Sequence, residues 1–276
     1  FNFRFWTMAF SLHTFDYLFV FKASACWEIL YAILGMLLRK NTHEKIRKYG
    51  NSYGTAFVNA FIMSLVGLWS MFSMINAPNE ARAYVVQENE PYYSESKLIQ
   101  NTGYIFMGWL VFDFTHIILN YPRLGGVDQF AHHIGFLLFT YFSVGTGLCP
   151  YAGAWLFCCE WSSLPLNLRW FLIQSGKGDS SLMNYTNLAF AGLFFITRIV
   201  LYDLCLIEFI KVTLPILYNE EVPLYVLSFF AILLPGGALL NTYWFSNIVE
   251  IARGKTRKNK KKNVSEETPS PKEKSN

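Results

Sequence analysis

Apolar runs of about 20 residues recur along this chain, each long enough to cross a hydrocarbon core of about 30 Å, and this constrains the fold more than any other feature. Inside a bilayer every backbone polar group must be satisfied within the protein, so runs of this length select helices. The pattern predicts seven, over residues 15–38, 54–76, 98–120, 130–148, 151–173, 186–213 and 223–250. Charged residues make up 15% of the chain, against about 25% in soluble domains. The expected fold is an all-α polytopic membrane protein.

The loops order these helices. Arg39, Lys40, Lys45, Arg47 and Lys48 follow the first, and Arg253, Lys255, Arg257, Lys258, Lys260, Lys261 and Lys262 follow the last. Seven crossings put both groups on one side, which the positive-inside rule makes cytosolic. Glu80, Glu88, Glu90, Glu95, Glu220 and Glu221 then fall on the opposite side. The N-terminus is expected outside and the C-terminus in the cytosol. The net charge of +4 owes much to the C-terminal basic tract, so it gives no ground for nucleic acid binding. Three regions are expected: residues 1–39 with the first helix, a helical domain over 40–253, and a disordered basic tail over 254–276. Within the tail, Lys272 and Lys274 match a dilysine endoplasmic reticulum retrieval address read by coat proteins. The five cysteines sit in or beside apolar runs, show no zinc spacing, and predict no metal site.

Ionisable side chains inside these runs need a reason, because one at mid-bilayer costs about 2.5–3.5 kcal/mol even on the lenient scale. Asp113 and His116 lie on the third helix, in a stripe with Trp109 and Asn120, and a hydrogen bond between them is expected. His132 and His133 are consecutive, so their side chains diverge by about 100° and address different neighbours. Glu160, Ser163, Asn167 and Trp170 share a face of the fifth helix, where Pro165 predicts a kink beside a cavity. Arg198 requires an internal carboxylate, supplied by Glu160 or Asp113. Arg169, Asp203 and Glu208 are expected at interfaces, and Asn241 is placed to hydrogen-bond across the bundle.

Several chemistries are excluded. Five histidines, with His13 and His43 outside the cluster, cannot supply the HxxHH boxes of a di-iron hydroxylase. No GxSxG, Walker loop or HExxH occurs.

The segments GYIFMGWLVFDFTH (Gly103–His116), AHHIGFLLFTY (Ala131–Tyr141) and EWSSLPLNLRWF (Glu160–Phe171) together resemble the TLC domain. FFITRIVLYD (Phe194–Asp203) and the Asn241 region extend the resemblance, which looks most like the TLC domain-containing 4 subgroup. It implies an endoplasmic reticulum helical bundle around an acyl-chain-sized cavity. In ceramide synthases of this family the His pair belongs to the acyl-transfer site, which maps to His132 and His133. Those enzymes follow the pair with a His-Asp and a further Asp, where this chain has Glu160, Ser163 and Asn167. The proton-handling partners are therefore changed, which favours lipid binding over acyl transfer. The leading expectation is a protein that binds membrane lipids or acyl chains without a cofactor and takes part in lipid homeostasis. An acyltransferase is the first alternative, with acyl-CoA as donor and His132 or His133 as nucleophile or base oriented by Asp113 or Glu160. A cargo or translocation-associated protein is the second.

Overall fold

A computed structural model describes residues 15–124 and 126–254; the tail lysines Lys272 and Lys274, and His13, lie outside that range. Within it each predicted span coincides with helix. The elements are α1 (Tyr17–Leu38), α2 (Glu44–Ser73), the short α3 (Asn79–Ala83), α4 (Tyr93–Leu119) and α5 (Val127–Thr146). They continue as α6 (Pro150–Cys158), α7 (Ser163–Gln174), α8 (Ser181–Asn219) and α9 (Leu224–Ala252).

Five of these (α1, α2, α4, α8 and α9) are long and apolar enough to cross a membrane. The two other predicted spans fall short for an informative reason. In α5 the residues Asp128, Gln129, His132 and His133 dilute the apolar content. The 151–173 segment is divided: α6 ends at Cys158, a 3-10 turn covers Cys159–Ser162, and α7 begins at Ser163. The predicted kink is therefore a break, and Pro165 falls in the first turn of α7, where a missing N–H costs nothing. A multi-pass helical membrane protein results.

Local chemistry explains the helix ends. Asp16 caps α1 by accepting from the Phe19 amide at 2.8 Å, and Ser180 caps α8 through the Met183 amide at 3.2 Å. Gly147 (φ 71°) closes α5 in the left-handed region, Cys149 (φ 56°) follows, and Pro150 opens α6. This tight corner is pinned by Val85 N–H donating to Gly147 O at 2.8 Å and Cys149 N–H donating to Ala83 O at 2.7 Å. The loop after α2 is thereby fastened to the α5–α6 turn.

Large apolar side chains such as Phe21, Trp69, Leu188, Ile232 and Leu239 are exposed on the outside of the bundle, as a lipid-facing surface requires. The core is built from Met63, Leu110, Trp155, Phe209, Phe230 and Leu234. α8 departs from regular winding twice, in π-helical segments at Phe195–Leu201 and Phe209–Thr213. Each π segment faces a polar cluster, an association common at functional sites.

Candidate functional site

Ionisable groups from α4, α5, α8 and the α6–α7 break converge on one interior region. His133 is buried, and its Nε2 lies 2.9 Å from Asp113 Oδ2 while its Nδ1 lies 2.9 Å from Gln129 O. Both neighbours are acceptors when Asp113 is ionised, so both ring nitrogens then donate; alternatively the shared proton sits on Asp113. The pair carries no net charge in either placement.

A second pair faces it. Arg198, in the first π segment of α8, donates from Nε to Ser162 Oγ at 2.8 Å and from Nη2 to Ser163 Oγ at 3.3 Å. Its Nη2 also lies 3.4 Å from Glu160 Oε1, and its guanidinium stacks over the Phe194 ring. Ser162 and Glu160 belong to the 3-10 turn, so the broken helix is what presents these partners to Arg198. Glu160 is thus the carboxylate that Arg198 required, and this pair too is neutral overall.

Two cavities meet at this region. The polar one, of about 320 Å³, is lined by Trp109, Asp113, His133, Glu160, Ser163 and Asn167, with Trp244 and Ile248 from α9. The apolar one, of about 410 Å³, is lined by Phe136, Phe139, Leu156, Tyr202, Leu233 and Gly237, with Asn241 as its polar group. His132 and Arg198 line both, so they stand at the junction. Each volume falls within the range of about 300–1,000 Å³ usual for small-molecule sites. Among the residues lining the apolar chamber, Ala131 of α5 and Ile232 and Gly236 of α9 are exposed.

The two histidines diverge as consecutive helical residues must. His133 points to α4, whereas the His132 ring packs against Phe136 (4.6 Å between centroids) and Trp244 (5.3 Å). His132 has no hydrogen-bond partner among the described residues. The Asn241 amide likewise has none, in place of the expected bond across the bundle, and it faces the apolar chamber. Trp109 Nε1 is also unpartnered where its residue lines the polar chamber.

The expected Asp113–His116 hydrogen bond is not formed. His116 Nε2 lies 3.0 Å from Glu28 Oε2 on α1, and His116 lines neither chamber. Three residues along a helix leave side chains about 60° apart, enough for Asp113 to reach α5 while His116 reaches α1. Trp170 stacks on Tyr53 of α2, and Arg169 donates to Asn187 Oδ1 at 2.9 Å; both lie outside the chambers. The Trp244 contribution went unread in the sequence, although its spacing of three from Asn241 places the two on one face.

The TLC domain family model matches residues 52–250, a range that contains every residue lining the two chambers. TLC domain-containing protein 4-B of Xenopus laevis is 24% identical over 184 residues, covering 66% of this chain and 64% of that protein. The chain therefore spans somewhat less than two thirds of the length of that relative. No solved structure matches.

Proposed function

Because the chain belongs to the TLC domain family, we propose that it binds a lipid or acyl chain between its helices and takes part in membrane lipid homeostasis. One observation carries this reading. An apolar chamber, with exposed lining residues on α5 and α9, joins at His132 and Arg198 a second chamber lined by polar groups. An amphiphile has the same division, with a hydrocarbon part that gains from leaving water or packing tightly and a head that needs hydrogen bonds. The site belongs to an endoplasmic reticulum protein with a cytosolic C-terminus, a placement supported by the basic loops and by Lys272 and Lys274 as coat-protein ligands.

A second reading, acyl transfer, is favoured by His132, an imidazole at the junction with no partner to occupy it. In this reading His132 is the base or nucleophile toward an acyl-CoA donor, and His133 with Asp113 holds α5 in place. One experiment separates the two. The purified protein is incubated with labelled acyl-CoA and a long-chain base, and its bound lipid is extracted and identified. Co-purifying lipid without turnover supports the binder. Turnover abolished by His132→Ala replaces it with the enzyme, and absence of both lipid and turnover overturns both readings.

A further inference from the structure

The charges around the chambers cancel, and this restricts the ligand. The ionisable groups lining the polar chamber are Asp113, His132, His133, Glu160 and Arg198; only His132 and Arg198 reach the apolar one. His133 and Asp113 are bonded to each other at 2.9 Å. Arg198 is held by Glu160 at 3.4 Å together with the Ser162 and Ser163 hydroxyls. Neither pair leaves a full charge over. What remains open includes uncharged hydrogen-bonding capacity in the His132 imidazole and the Asn241 amide.

We propose that the site takes an amphiphile whose head is uncharged and rich in hydroxyl, ester or amide groups, and rejects one bearing a net charge. This deepens the lipid-binding reading and rests on it. A carboxylate, sulfonate or quaternary ammonium entering here would give up its hydration and meet only cations and anions already neutralised, so its desolvation goes uncompensated. A hydroxyl or carbonyl head satisfies these open groups and leaves both pairs intact. Asn241 lies inside the apolar chamber, so it meets the linkage between chain and head, while His132, at the junction, meets the head itself.

The test uses three probes with the same chain: 1-dodecylglycerol, dodecyl sulfonate and dodecyltrimethylammonium, all radiolabelled and titrated against the protein in nanodiscs. Dodecylglycerol is expected to bind at least about tenfold more tightly than either ion, a difference of about 1.4 kcal/mol. Equal or tighter binding of either ion overturns the proposal and leaves the lipid-binding reading standing. Failure of all three to bind overturns both. Glu160→Gln removes the carboxylate that balances Arg198 and is expected to raise dodecyl sulfonate affinity at least about tenfold; an unchanged affinity overturns the account. Should that variant fail to fold, Asn241→Leu serves instead. It is expected to weaken dodecylglycerol several-fold and leave the sulfonate unchanged, and the reverse result overturns the proposal.

Discussion

Two arginine–carboxylate pairs tie α8 to the rest of the bundle, and only one of them borders a void. Arg198 and Glu160 stand at the meeting of two chambers. Arg82, in α3, reaches Glu208 on α8 at 3.8 Å, donates to Ile75 O, and stacks over the Tyr151 ring at 5.2 Å. Thr213, in the second π segment, donates to Glu208 at 3.4 Å. None of the lined cavities includes Arg82 or Glu208. An ion pair between helices therefore does not mark a site by itself. The distinguishing feature is empty space, which occurs around Arg198; a polar atom without a partner does not separate the two pairs, since Arg82 Nε is one as well.

The largest expected difference is in stability. Glu160→Ala leaves a buried guanidinium unpaired and should cost about 3–5 kcal/mol. Arg82→Ala leaves Glu208, 18% exposed, with the Thr213 hydroxyl still donating to it, and should cost less, about 2 kcal/mol. Thermal unfolding in detergent compares them, and equal losses would erase the distinction between clasp and site.

The histidines sharpen it next. His133→Ala strands Asp113 and should cost about 3 kcal/mol. His132→Ala removes a side chain without a hydrogen bond, and should cost under about 1 kcal/mol. If His132→Ala unfolds the protein as readily, the ring is a packing residue and the junction loses its meaning.

The void can be filled without touching either pair. A Cβ at Gly237 would collide with the Tyr202 hydroxyl, which itself donates to Leu234 O at 2.8 Å. Gly237→Val should cost about 1–3 kcal/mol and abolish co-purified lipid. Gly236→Ala, where nothing lies within 4 Å of the new carbon, should leave the lipid content unchanged. Mass spectrometry of extracted lipid reads both.

The smallest effect belongs to the clasp side. Tyr84, in the loop that follows Arg82, has its phenol pushed up to about 12 from 10.0, chiefly by burial, with Glu220, Glu80 and Glu90 adding to it. A raised phenol stabilises the fold below its unfolded value of 10.0, and that stabilisation disappears as the pH rises toward about 12. Calorimetry should show the unfolding temperature falling over that interval in the native protein and less so in Tyr84→Phe.

Much of this was legible in the residues. The seven helical segments follow from apolar runs, and the divergence of His132 and His133 follows from helical geometry alone. Glu160 as the partner of Arg198 was one of two carboxylates the sequence offered. Other features depend on distance in three dimensions. Glu28 lies within the first apolar run, and nothing in its own segment announces His116, 88 residues away. Glu208 is read as interfacial from its place near a helix end, and nothing in its own segment points to Arg82 in α3. The division of the 151–173 helix was signalled only as a kink, since Pro165 marks a bend without revealing the tight turn before it.

The π winding around Arg198 carries a genetic consequence. Such a segment holds one more residue than the regular coil would need over the same rise. Deleting a single residue between 195 and 201 would let the coil relax to ordinary pitch while keeping the downstream turns, Glu208 among them, aligned with their neighbours. The guanidinium alone would swing away from its carboxylate. One codon thus separates a bundle with an equipped chamber from a bundle that merely crosses the bilayer.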